Sequence, residues 1–231
     1  MRILGLDTSG DTCSVGIMDD DRIIAELSVT DRNTHSVNLM PLVDRVLREN
    51  DLSICDIDAF AVNVGPGSFT GIRIGVCTVM GMAMNRHTPC IGVNTLESLA
   101  YNAQGFTGTI CPMIDARRQE SYWSLFGSDG RDVERISDDG AEKVVDILTR
   151  LPEGTICFVG DGALKNRAMI EEALGERAVF LPESAMIPCA ASTLKAAKAM
   201  AEKGGMQPAY ELAPYYLRPS QAEQMKAGTE G

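Results

Sequence analysis

Three glycines, a proline and two hydroxyl residues meet in Gly65-Pro66-Gly67-Ser68-Phe69-Thr70-Gly71, where an apolar run gives way to a long helical pattern. No other stretch of the chain is as well suited to chemistry. Glycine reaches φ > 0 without steric cost, proline fixes one turn position, and Ser68 and Thr70 are natural N-cap residues, so the spacing predicts a loop entering a helix near Thr70. Such a loop turns amide N–H groups outward at the positive end of a helix dipole, which suits either an anion or a tightly packed partner. A second candidate is Asp7-Thr8-Ser9-Gly10, an acid at a strand end followed by hydroxyls, which also makes an ordinary Asx-type turn. Asp115 stands in a similar place, with Arg117 and Arg118 expected to pair with it or with Asp161. The only histidines are His35 and His87, and neither adjoins a nucleophile elbow, so no Ser/His/Asp triad is expected and peptidase chemistry is discounted.

The elements that must hold these residues follow from periodicity. Arg2 to Asp7, Cys13 to Met18 and Ile23 to Val29 read as three strands joined by polar turns. From Ser36 the period changes: Val37, Met40, Val43 and Leu47 recur at helical spacing, with His35-Ser36 as cap and an end near Asn50. Ile57 to Val64 is a buried strand that delivers the glycine loop, Thr70 to Arg86 a second helix, Thr88 to Val93 a strand and Thr95 to Ala103 a helix. The first half thus runs βββαβαβα. Laying Asp115 on Asp7 brings Ile114 onto Leu6, Ser121 onto Cys13, Trp123 onto Val15 and Leu125 onto Ile17, as a duplicated unit would. Thr155 to Val159 is a strand ending in Gly160-Asp161-Gly162, before helices at Lys165 to Leu174 and Ala191 to Lys203. An extended Ala213 to Pro219 precedes a polar tail expected to fray.

With 231 residues, 45% of them apolar, the chain can bury an adequate core as one large domain or two small ones. The seven cysteines are scattered through apolar segments with no C-x-x-C pair and no secretory signal ahead of them, so they read as reduced core residues of a cytoplasmic protein. The longest apolar run, Ile74 to Asn85, is too short to span a membrane. A net charge of −11 argues against this chain gripping nucleic acid unaided.

Taken in order, Leu4-Gly5-Leu6-Asp7-Thr8-Ser9, His35-Ser36, Gly65 to Gly75, Ile114-Asp115-Ala116-Arg117-Arg118, Gly160-Asp161-Gly162 and Tyr216-Leu217-Arg218 closely resemble the bacterial TsaB (YeaZ) family. The match runs nearly end to end, and the Gly65 to Gly75 block is its most specific piece. The resemblance implies an α/β protein of the actin-like, Hsp70-ATPase and sugar-kinase (ribonuclease H-like) fold, with two similar βββαβαβα halves. Residues 1–105 would carry the partner-binding helices. Residues 106–231 would form the second half, with the last helix and tail packing back on the first. It further implies a non-catalytic scaffold or activator in forming the threonylcarbamoyl group on adenosine 37 of tRNAs that read codons beginning with A. The implied partners are the catalytic paralogue TsaD, in a heterodimer, and the ATPase TsaE in a larger assembly. A homodimer is implied when the chain is alone, with tRNA reached only through the complex and no membrane association.

Against that background the residues divide into two groups. In ATPases of this fold the places of Asp7, Thr8, Ser9, Gly65, Gly67, Ser68, Asp115, Gly160 and Asp161 meet metal, phosphate or nucleotide. Here they read as vestigial, since Arg117-Arg118 replaces small turn residues and no further glycines support an adenosine pocket. The catalytic paralogue's His-x-x-x-His metal pair is missing, because Leu39 stands four residues after His35, so no catalytic residue, metal or cofactor is expected. The second group is apolar: Leu39, Leu42, Val43 and Val46 on the first helix, and Ile72, Val76, Met80 and Met84 on a second helix that is apolar all round. Gly75 and Gly81 would let another helix approach closely. These residues are expected to form an exposed patch for the partner; the alternative is that both helices simply pack within the monomer. The competing function is a free-standing ATPase or small-molecule kinase using Asp7 as metal-bound acid.

Overall fold

A computed structural model describes residues 1–30 and 35–218; the tail expected to fray lies outside the described residues. Its elements are β1 (Arg2–Asp7), β2 (Thr12–Asp19), β3 (Arg22–Thr30), α1 (His35–Glu49), β4 (Ala59–Gly65), α2 (Phe69–Met84), β5 (Cys90–Asn94) and α3 (Thr95–Ala100) in the first half. The second half holds β6 (Thr107–Arg117), β7 (Glu120–Trp123), β8 (Phe126–Asp129), β9 (Val133–Arg135), β10 (Gly140–Lys143), α4 (Val144–Leu148), β11 (Ile156–Val159), α5 (Asp161–Lys165), α6 (Arg167–Leu174), β12 (Ala178–Phe180) and α7 (Ala190–Glu202).

The first sheet has the order β3-β2-β1-β4-β5 and the second β10-β7-β6-β11-β12, with β8 and β9 paired onto the foot of β6. Directions repeat as well as order. β2 is antiparallel to β1 as β7 is to β6, and β4 and β5 run parallel to β1 as β11 and β12 run parallel to β6. The repetition is real, but its register differs by one residue from the sequence alignment. Asp7 pairs with Ser14, whereas Asp115 pairs with Ser121, so Ser121 corresponds to Ser14 and not Cys13. The cause is the tighter β6–β7 turn, where Arg117, Arg118 and Gln119 all hold positive φ.

Alternation along β1 builds two cores. Leu4 and Leu6 face α1 and α2, while Ile3 faces a core shared with α3, α7 and the second sheet. Gly5 lies directly opposite Gly16 in the β1–β2 ladder. A Cβ on Gly5 would stand 2.7 Å from Leu194 Cγ and one on Gly16 3.1 Å from Leu194 Cδ1, so this glycine pair is the socket that seats α7 on the first sheet. All seven cysteines are free thiols. The expectation that they are core residues fails for Cys55 and Cys77, which are exposed, and for Cys189, which is half-buried.

Substituting Gly5→Ala should lower stability by about 1–3 kcal/mol, because Leu194 is fully buried and cannot withdraw. Gly10→Ala, which meets open space, should change it by less than about 0.5 kcal/mol. Urea unfolding of the two variants checks the contrast.

Candidate functional site

The glycine loop closes onto protein. Ser68 is the N-cap of α2, its Oγ accepting from the Gly71 N–H at 3.3 Å, so the helix begins at Phe69. The Ser68 N–H donates to the Ser9 carbonyl at 2.7 Å, and Thr8 Oγ1 donates to the Gly71 carbonyl at 2.8 Å. A Cβ on Gly71 would collide with the Thr8 carbonyl, and one on Gly75 would stand 2.5 Å from Thr8 Oγ1. Of the two occupants that the loop suited, an anion or a packed partner, the β1–β2 turn is the one in place. Gly75 is therefore spent inside the monomer and does not serve a second helix, whereas Gly81 meets open space. His35 adds a tie from α1, its Nε2 lying 2.8 Å from the Gly10 carbonyl.

Asp7 sits behind this turn with no exposed surface. Its Oδ1 accepts from the Ser9 amide (3.0 Å), Ser9 Oγ (2.6 Å) and Asn63 Nδ2 (2.8 Å), while its Oδ2 is buried without a partner. Burial pushes the carboxyl pKa up, against the opposing pull of the bonds from Ser9 and Asn63. An acid so enclosed is poorly placed to hold a metal ion or to receive a substrate proton. Asn63 Nδ2 also reaches Ser98 Oγ at 3.5 Å, and Ser98 Oγ lies 3.0 Å from Ser192 Oγ, so one buried polar chain ties β1, β4, α3 and α7. The only trace of this network in the sequence was Asn63 itself, a polar residue inside an apolar strand.

A cleft of about 670 Å³ lies between the halves. It brings together Ser9, Gly67, Ser68, Asp115 and Asp161 from the residues singled out in the sequence, while Asp7, Thr8, Gly65 and Gly160 stand behind its walls. Asp115 is bound by Lys165 Nζ at 2.7 Å and accepts from the Arg117 N–H at 3.0 Å. Lysine, not either arginine side chain, thus takes the pairing foreseen for Arg117 or Arg118. Asp161 Oδ1 accepts from the Asp115 and Gly162 amides, and partial desolvation at the cleft wall raises its pKa. At the mouth Phe69 and Tyr216 stack at 4.5 Å, with the Arg73 guanidinium 3.9 Å above Phe69 and donating to Tyr216 Oη at 2.7 Å. Arg218 reaches across to Glu120 and the Ala141 carbonyl. Lys165, Glu120 and these stacks had no signature in spacing because they join segments far apart in the chain.

The expected partner patch needs correction. Leu39, Leu42, Val43, Val46, Ile72 and Val76 are buried against the first sheet, so they belong to the monomer's core. Met80 is half-buried and Met84 exposed. The exposed apolar side chains of the two helices are instead Val37 (61% exposed) and Met40 (49%) on α1 and Met84 (68%) on α2, with Ile74, Met80 and Met82 half-buried.

A family model described as TsaD, tRNA N6-adenosine threonylcarbamoyltransferase, matches residues 24–224. The tRNA threonylcarbamoyladenosine biosynthesis protein TsaB of Bacillus subtilis (strain 168) is 33% identical over 228 residues, 96% of either chain. The chain belongs to the TsaB (YeaZ) family. Escherichia coli (strain K12) TsaB is 38% identical over 56% of this chain and 56% of its own. YeaZ from Pseudomonas aeruginosa matches with a TM-score of 0.80 at 26% identity, covering 94% of this chain and 99% of that one. The fold is accordingly the actin-like one, and the family acts in threonylcarbamoyladenosine biosynthesis, which implies a TsaD-related partner.

In this member of the TsaB family the raised pKa of Asp7 has a definite sign. A folded-state pKa above the unfolded value of about 3.9 means that the stability it contributes is complete below that pH and is lost as pH rises through the folded value. Asp7→Asn should therefore remove this loss, so that its stability relative to the natural protein rises from pH 4 to pH 8. Thermal unfolding followed from pH 4 to 8 tests it; a variant that is less stable at pH 7 than at pH 4, relative to the natural protein, would be the opposite result.

Proposed function

We propose that the chain is a non-catalytic subunit that pairs with a TsaD-like paralogue and activates it for placing the threonylcarbamoyl group on adenosine 37 of tRNAs reading codons that begin with A. The observation that carries this reading is the exposure of Val37 and Met40 on α1 and of Met84 on α2, with Met80 half-buried one turn before Met84. Methionine gives such a surface adaptability, and Gly81 leaves room for close approach of a partner helix. The same surface would hold a second copy of the chain when the paralogue is absent. A TsaE-like ATPase would join the larger assembly, tRNA would be reached through that assembly, and the protein would work in the cytoplasm.

In the same reading the chain divides into residues 1–105, which present the pairing face, and residues 106–231, which complete the cleft. The vestigial status of the nucleotide loops is supported by the enclosure of Asp7 and by the contact of Gly71 and Gly75 with Thr8.

The test follows from which residues face outward. Met84→Glu and Met40→Glu should lower affinity for the paralogue at least tenfold while leaving the melting temperature within a few degrees. Val76→Glu should unfold the chain instead, because Val76 is 2% exposed within the core. Light scattering of the mixed subunits reads the first outcome and circular dichroism the second. Undiminished complex mass with both methionine variants would sink the proposal.

A further inference from the structure

The turn between β6 and β7 holds two positive charges over the cleft that the fold itself does not use. Arg117, Arg118 and Gln119 have φ of 64, 53 and 64°, three consecutive L residues in left-handed backbone. Such a conformation is costly for a side chain with a Cβ, and it persists where surrounding contacts or a function maintain it. Asp115 anchors the turn through the Arg117 N–H, and Lys165 neutralises Asp115, which leaves the guanidiniums free. Among the described residues neither guanidinium makes a hydrogen bond or ion pair, although both residues line the cleft. Arg118 has Glu120 as a charged neighbour, but Arg218 already binds that carboxylate at 2.5 Å.

The other acids facing the cleft are largely answered within it. Asp115 is paired, and Asp161 accepts two backbone amides; Asp11 is the exposed acid that remains. Tyr215 and Tyr216 line the same cleft as the free guanidiniums, 39% and 38% exposed, with Tyr216 stacked on Phe69 and the Tyr215 hydroxyl bonded to Asp139. Guanidiniums that can bind phosphate oxygens, set next to accessible aromatic rings, suit a single-stranded nucleic acid, whose backbone meets the charges while an unpaired base meets a ring.

We infer that this rim contacts the tRNA, with Arg117 and Arg118 on its phosphates and Tyr215 against an unpaired base. The inference rests on the threonylcarbamoylation reading and adds a substrate-contact role for this subunit. With a net charge of −11 the chain needs the assembly to supply the rest of the affinity.

The experiment measures fluorescence anisotropy of a labelled, unmodified tRNA transcript that reads a codon beginning with A, titrated with the complex of this chain and its paralogue at several salt concentrations. The double variant Arg117→Ala/Arg118→Ala should weaken binding about five- to tenfold near 0.15 M salt and make the log–log salt slope shallower by about 2. Arg117→Lys/Arg118→Lys should keep most of the slope, and Tyr215→Ser should weaken binding at unchanged slope. Unchanged affinity and slope in the alanine variant would overturn the inference. So would a loss of complex mass in sedimentation, which would make the rim a protein contact. Failure of the natural complex to form, or to bind tRNA at all, would instead remove the functional reading itself, and this inference with it.

Discussion

The seating of the first turn of α2 on the β1–β2 turn is the contact on which the rest of the molecule depends. Two hydrogen bonds, from Ser68 N–H to the Ser9 carbonyl and from Thr8 Oγ1 to the Gly71 carbonyl, hold backbones so close that no side chain fits at Gly71. A phosphate-cradling loop needs its amides free and its floor open. Here amides of the loop are committed to protein, and the acid at the end of β1 is enclosed beneath it. The same contact presses Ile72, Val76 and Val79 into the sheet, which fixes the stripe of α2 that faces outward. One packing event thus withdraws Asp7 from solvent and presents the outer face of α2.

The second half shows what this closure changes. Gly160 and Gly162 approach the end of β6 as Gly71 and Gly75 approach Thr8, yet Asp115 and Asp161 still line the cleft, whereas Asp7 does not. The two halves share a strand order but have diverged in exposure at their acids. The cleft between them combines the Asp115–Lys165 pair, stacked aromatic rings and the two guanidiniums of the β6–β7 turn.

Much of this was legible in the sequence, for physical reasons. A strand buried on both faces reads as a nearly unbroken apolar run, so β1 and β4 could be found, and the glycine block could be read as a close approach. What approached could not be read, because Thr8 lies some sixty residues away from Gly71. The stripe of α2 that packs inward was hidden for a related reason: a helix apolar all round carries no moment to orient it. The glycines at 71 and 75, one helical turn apart, marked the inner stripe once Thr8 was known to fill it. The strands β8, β9 and β10 were missed because they are three or four residues long and half polar, which leaves alternation too little length to register. Asn63 interrupts an apolar strand, where a buried amide requires a partner, but the sequence does not show that the partner is Asp7, fifty-six residues away.

Asp7, enclosed beneath the contact of α2 with the β1–β2 turn and bonded to Ser9 and Asn63, is expected to take no part in chemistry. The rate of threonylcarbamoyl transfer to tRNA by the reconstituted assembly carrying Asp7→Asn tests this, since the substitution keeps the shape of the side chain and removes its capacity to gain or lose a proton. The expected rate is within about twofold of that of the natural assembly. A fall of a hundredfold or more with complex mass unchanged, the scale on which a general acid or base contributes, would make Asp7 a catalytic carboxylate and contradict that expectation.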